Sequence, residues 1–276
     1  MRIDGAKENR YNNAKRERMR FYRGISMIKK WKVKIPELSG NMERNAYIYL
    51  PDDYLTSGKR YPVLYMFDGH NVFFDEDATY GKSWGMGEYM VSSGKQLIIV
   101  AVECNHGLNK RQEEYSPVDL HFPDSGLIPG RGKVYMDWMV NTLKPYIDKT
   151  YPTLTDRLHT SLAGSSMGGL MSLYGVCEYN HVFSKAACVS PSFWVAKDKV
   201  LDIVTKADIA TDSRVYIDYG SVELPNHTRS SEALIAVARM LLTRRVNVTF
   251  KIVPGGIHSE SSWEKQIPVF MDYLEL

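Results

Sequence analysis

Ser166 lies in Gly164-Ser165-Ser166-Met167-Gly168-Gly169, a G-x-S-x-G motif preceded by the strand pattern Leu158 to Ala163 and followed by the apolar segment 170–176. A strand that turns sharply into a helix holds the central serine in a strained conformation, and the flanking glycines avoid collision between the two elements. Ser166, rather than Ser165, is the candidate nucleophile. A serine hydroxyl is a weak nucleophile at neutral pH and needs a base within hydrogen-bond reach. In elbow-bearing folds the partners follow in the chain order serine, acid, histidine. Downstream of Ser166 lie His181, His227 and His258. His258, in Pro254-Gly255-Gly256-Ile257-His258, occupies a glycine loop between the last strand pattern and the last helix pattern, where it can return to the strand ends, so it is the candidate base.

The acid should follow the penultimate strand and fix the histidine tautomer. That strand pattern is Val215 to Tyr219, and Gly220-Ser221-Val222-Glu223 follows it. Glu223 is the preferred acid, with Asp218, at the strand end, as the alternative. Two preorganised donors must hold the developing oxyanion, and backbone N–H groups serve whatever their side chains. The amide of Met167, directly after the nucleophile, is one. The amide of His70, in Asp68-Gly69-His70-Asn71, is the expected second, with that of Asn71 next.

These residues need a scaffold, and the rest of the chain supplies its pattern. Trp31, Val33 and Ile35 alternate with lysines, and Tyr47 and Tyr49 lie in the run 46–50, as in antiparallel strands. Val63 to Phe67, Leu97 to Val102, Leu158 to Ala163 and Ala186 to Val189 are short, nearly continuous apolar runs suited to strands buried on both faces of a parallel sheet. Strands at Val215 to Tyr219 and Val246 to Val253 alternate with helical patterns around 234–241 and 263–274. Tyr135, Met139, Leu143 and Ile147 recur at helical spacing, with Pro145 expected to kink or split that helix. The fold class is therefore α/β, with a mostly parallel central sheet, helices on both faces and antiparallel N-terminal strands. Asn105 to Gly132, with three prolines, four glycines and no sustained periodicity, reads as a long loop bordering the site.

Of 276 residues, 44% are hydrophobic and 24% charged, with 20 Gly and 12 Pro, values of a globular chain with a large core and not of a disordered one. We divide it into a basic N-terminal arm, 1–24, and a single domain, 25–276. The arm carries Arg2, Lys7, Arg10, Lys15, Arg16, Arg18, Arg20 and Arg23. It reads as a solvated segment, or as an arm for an acidic partner or second subunit. A net charge of +3 from 35 basic and 32 acidic residues is too balanced for a nucleic-acid surface. No apolar run approaches the roughly 20 residues of a membrane span or forms a secretory signal, so a cytoplasmic protein without membrane contact is expected. Cys104, Cys177 and Cys188 leave one cysteine unpaired in any intramolecular scheme and show no familiar metal-binding spacing, so they read as reduced core thiols and no metal is expected.

Several segments together, Tyr61 to Gly69, Gly164 to Gly169, Ser190-Pro191-Ser192-Phe193-Trp194, Gly220 to Glu223 and Gly255 to His258, resemble the putative esterase family of α/β hydrolases. That family includes feruloyl and acetyl xylan esterases, siderophore trilactone esterases, S-formylglutathione hydrolases and mycolyltransferases. The resemblance spans about 31–276. It implies the α/β-hydrolase fold, a serine esterase acting through an acyl-enzyme without metal or organic cofactor, and Ser166, Glu223 and His258 at the triad positions. Family members more often carry Asp at the acid, which keeps Asp218 open. Trp84, Trp194 and the Arg111 to Tyr115 run look like the family's pocket-lining regions. The two tryptophans would offer platforms for sugar or aryl groups, or else fill the core, and Arg111 would contact substrate or else pair with Glu114. A small-molecule or saccharide ester is the implied partner, preferably a carbohydrate-linked acetyl or feruloyl ester. A siderophore trilactone, acyl transfer and a non-catalytic binding module are the alternatives, and a homo-oligomer is compatible with the sequence.

Overall fold

The computed structural model describes residues 18–22, 26–124, 126–223 and 227–276. Most of the basic arm lies outside them. Nine strands form one sheet, in chain order β1 (Arg18–Tyr22), β2 (Ser26–Lys34), β3 (Glu43–Leu50), β4 (Val63–Met66), β5 (Ile98–Val102), β8 (Thr160–Ser165), β9 (Lys185–Val189), β10 (Arg214–Gly220) and β11 (Asn247–Val253). A separate antiparallel hairpin comprises β6 (Leu120–Phe122) and β7 (Gly126–Ile128). The sheet order is β1-β2-β3-β5-β4-β8-β9-β10-β11. β1, β2 and β3 pair antiparallel, β3 meets β5 antiparallel, and the strands from β5 to β11 pair in parallel. This is the α/β-hydrolase architecture.

Alternation along buried strands builds a core on each face of the sheet. Val63 and Tyr65 of β4 join one apolar cluster, while Leu64 and Met66 join the other. The helix Met167–Glu178 covers the first face with every residue but Glu178 buried. Because its sides all meet protein, it is apolar all round rather than striped.

The order also places the site. The chain steps from β4 outward to β5, then returns to the other side of β4 with β8. Loops leaving β4 and β8 at their carboxyl ends therefore diverge and open a crevice, the usual ligand position in a parallel sheet. Asp68 to Asn71 leave β4 here, and Ser166 leaves β8.

The helix is divided at Pro145 as expected, while the 105–132 segment departs from expectation. Gly132–Trp138 runs through a π-helical turn, Met139–Leu143, into Lys144–Thr150, and the widened turn accommodates the missing proline N–H. The 105–132 segment is not a bare loop. It contains the helix Lys110–Glu114 and the β6–β7 hairpin, with Tyr115, Leu120 and Ile128 buried in the core. These elements are too short to show a sustained period. The segment is anchored to β3 through Arg44, which is 2% exposed and donates from one guanidinium nitrogen to both Glu114 carboxylate oxygens at 2.9 Å. Glu114 also accepts from the Asn105 amide at 2.7 Å.

Candidate active site

Ser166 stands at the junction of β8 and its helix with φ 56° and ψ −120°, a region a serine occupies only when its surroundings hold it there. The junction is close because Gly164 carries no Cβ. An added one would lie 2.6 Å from the Gly168 carbonyl carbon. The Ser166 amide donates to Val189 O at 3.0 Å, and its hydroxyl is hydrogen-bonded to Ser192 Oγ at 3.2 Å. Asp68 (φ 55°) and Ser190 (φ 44°) are also left-handed, so strained backbone is concentrated where β4, β8 and β9 end.

Glu223 and His258 are brought together by two crossing loops. Val222 N–H donates to Gly256 O at 3.0 Å, Gly255 N–H to Ser221 Oγ at 2.8 Å, and Ser221 N–H to Val253 O at 2.9 Å. At the crossing, a Cβ on Gly256 would lie 2.8 Å from Gly220 Cα, and one on Gly220 would lie 2.4 Å from Gly256 O. Only glycine permits this approach. Gly256→Ala is expected to lower stability by about 1–3 kcal/mol through this overlap and to reduce ester turnover by displacing His258. Urea denaturation and kcat measured on the same preparation check it; wild-type values for both would show that the crossing does not set the histidine.

The crossing puts His258 Nδ1 3.0 Å from Glu223 Oε2, the ring N–H donating to the carboxylate. Glu223 is 1% exposed through its side chain. Its other oxygen, Oε1, accepts from Gly220 N–H at 2.6 Å and from the Ser190 hydroxyl. Trp263 Nε1–H in turn donates to Ser190 Oγ at 2.9 Å, and the His258 ring packs edge-on against Trp263 at 5.0 Å. Ser190 and Trp263 are thus part of the support for acid and imidazole, a role sequence reading missed. The sequence signals were the place of Ser190 in a segment of the family resemblance, after a strand, and of Trp263 at the start of the last helix.

Asp218 is held elsewhere. It is 1% exposed and accepts from Ser190 N–H and Tyr216 O–H, both at 2.9 Å, not from His258. Burial pushes its carboxyl up from 3.8 to about 7. A carboxyl whose folded-state pKa is raised binds more protons in the native than in the unfolded state across that interval. Stability therefore falls as pH rises from about 4 through 7. Asp218→Asn keeps the acceptor for Ser190 N–H and removes this slope, so its melting temperature relative to wild type should rise from pH 5 to pH 8. An unchanged difference across that range would contradict the shift.

A cavity of about 470 Å³ is lined by Ser166, His258, Trp263, Glu260, Asp68, His70, Asn71 and Arg111, among others. Residues 105–107 add to its wall, so the 105–132 segment borders the site. The amide N–H groups of Met167 and His70 lie in the first turns of their helices, where no intrahelical acceptor exists. The His70 ring bonds Thr79 Oγ1 through Nε2 at 2.9 Å, and burial lowers its pKa. Arg111 does not pair with Glu114. It grips Asp68 in a two-bond fork, 2.7 Å at each oxygen. Burial alone would raise the Asp68 carboxyl, but the guanidinium overcomes this and holds it below its ordinary value. Glu260 is 5% exposed, accepts from Asn71 Nδ2 at 3.0 Å, and is pushed up by burial.

Neither expected aromatic platform reaches this cavity. Trp84 is 3% exposed and packs behind Trp263, ring centroids 5.8 Å apart, and against Phe270 at 6.2 Å. It buttresses the tryptophan that backs His258. Trp194 lines a different depression, beneath the Arg229 guanidinium at 5.5 Å, with Asp119 and His121 nearby. Cys104, Cys177 and Cys188 are buried and unpaired. Among the described residues, no helix is long and apolar enough to cross a membrane.

A family model described as "Putative esterase" matches residues 38–273. The uncharacterized protein YbbA of Bacillus subtilis is 24% identical over 185 residues, covering 65% of this chain and 69% of that protein. Among solved structures, a ferulic acid esterase superposes with TM-score 0.65 at 18% identity, covering 91% of this chain and 98% of its own. The enterobactin and salmochelin hydrolase IroE superposes with TM-score 0.64 at 18% identity, covering 91% and 96%.

Proposed function

Since this chain belongs to the putative esterase family and is a carboxylic-ester hydrolase, its chemistry must be assigned to residues around the Ser166 cavity, and we propose that Ser166, His258 and Glu223 act as nucleophile, base and acid. The observation that carries this reading is the 3.0 Å Glu223–His258 hydrogen bond beside a strained serine in the same crevice. Ser166 Oγ turns from Ser192 toward His258, gives up its proton and attacks the ester carbonyl. The amides of Met167 and His70 receive the oxyanion. His258 protonates the departing alcohol, then takes a proton from the water that cleaves the acyl-enzyme.

The substrate we propose is an ester of a hydroxyl-rich alcohol, such as a carbohydrate-linked acetyl or feruloyl ester. The cavity's side chains are chiefly carboxylate, amide, imidazole and hydroxyl, groups suited to hydrogen-bonding sugar hydroxyls. The aromatic platforms that first suggested a sugar do not contribute; the polar wall replaces them as support. A siderophore trilactone fits less well, because the Arg111 charge that could attract an anionic substrate is already matched by Asp68.

A fluorophosphonate probe followed by peptide mass spectrometry tests the assignment. The label is expected on Ser166, and labelling at another residue with Ser166 unmodified would overturn it. Comparing acetylated xylo-oligosaccharide, methyl ferulate and a catecholate trilactone tests the substrate class, with a higher kcat/KM for the trilactone rejecting the sugar ester.

A further inference from the structure

We propose that His70, Cys104 and His106 form a binding site for one zinc-class divalent ion on the wall of the Ser166 cavity. One ligand atom from each of the three lies within 4.8 Å of the other two, and all three residues line that cavity. The His70 and His106 rings meet edge to face with centroids 4.6 Å apart. His70 is 4% exposed, and its Nδ1 has no hydrogen-bond partner among the described residues. A buried, unpartnered imidazole nitrogen is costly unless something else occupies it.

The far side of each ring is already set for coordination. His106 Nε2 lies 3.0 Å from Glu103 Oε1. Beside an ionised carboxylate, which only accepts, that nitrogen carries the proton and Nδ1 carries the lone pair. His70 Nε2 meets Thr79 Oγ1, a hydroxyl that accepts when Nε2 carries the proton, the tautomer that keeps the lone pair on the unpartnered Nδ1. Carboxylate and hydroxyl partners on the distal nitrogen are the arrangement that orients metal-bound histidines. Cys104 supplies the third ligand. It is 3% exposed. On coordination the S–H proton leaves to solvent and the thiolate binds the ion, so one proton is released per ion bound.

Two imidazoles and one thiolate suit zinc-class metals and leave a fourth tetrahedral position for water or a substrate oxygen. Bonds of about 2.0–2.3 Å place tetrahedral ligands roughly 3.3–3.8 Å apart. The ligand atoms, which lie within 4.8 Å of one another, draw in on binding, with the exposed His106 side chain as the mobile member.

The test uses the full chain after treatment with a chelator. Titration with zinc chloride in buffers of different ionisation enthalpy should show one saturable site and release of about one proton. Cobalt(II) should give a thiolate charge-transfer band in the near ultraviolet. Cys104→Ser should abolish that band. His106→Ala, at an exposed position where folding is readily confirmed by circular dichroism, should weaken zinc binding at least about tenfold. No saturable zinc binding, a cobalt complex without the band, or unchanged affinity in both variants would each overturn the site. These readouts do not depend on ester turnover, so failure here is distinguishable from failure of the Ser166 assignment.

Discussion

Ser166→Ala is expected to lower kcat on p-nitrophenyl acetate by a factor of about 10⁵ to 10⁶, leaving only what cavity binding and the oxyanion donors supply. The loss is chemical rather than structural. Ser166 has a positive φ, which alanine tolerates no worse than serine, and its hydroxyl bonds only Ser192 Oγ among the described residues. Its backbone bond to Val189 O is untouched. Thermal unfolding should therefore match wild type. Turnover within tenfold of wild type would remove this elbow from the mechanism. A large fall in melting temperature would instead show that the strained turn depends on the hydroxyl.

Glu223→Gln should reduce kcat by about 10³ to 10⁴. Gly220 N–H and the Ser190 hydroxyl both donate to Oε1. They will hold the carbonyl oxygen of the introduced glutamine there, so its NH₂ must face His258 Nδ1. The ring then accepts at Nδ1 and carries its proton at Nε2, the tautomer that cannot take a proton from Ser166. Asp218→Asn should change kcat less than tenfold, because Asp218 reaches Ser190 and Tyr216 but not the imidazole. Steady-state kinetics on both variants decide between the acids; a major effect confined to Asp218→Asn would transfer the role.

What could be read from the chain depended on how local the signal was. The strand, elbow and helix around Ser166 form one continuous segment, so apolar runs and glycines located them. The alternation of strands and helices similarly gave the α/β architecture. His258 and Glu223 each sit two or three residues after a glycine in a loop following a strand, although their contact lies across 35 residues. Trp84 and Trp194 were a different case. An indole looks the same in sequence whether it faces a cavity or a core, and only packing places Trp84 behind Trp263. Ser190 bridges Glu223 and Trp263, 33 and 73 residues away, a relation no spacing rule encodes. His70 and the Cys104-Asn105-His106 segment follow β4 and β5, which are adjacent in the sheet but separated in the chain, so no linear motif joins them.

The Arg44–Glu114 pair bears on how this fold can diversify. One wall of the cavity rests on an ion pair whose partners are 70 residues apart, with the cation on an antiparallel strand and outside the cavity lining. Replacing the 105–132 segment, by recombination with a relative or by design, with one that lacks a carboxylate at position 114 would strand a guanidinium in the interior at about 3–5 kcal/mol. New specificity in that wall must then keep a carboxylate at position 114 or change together with position 44, which constrains the wall from outside the cavity lining.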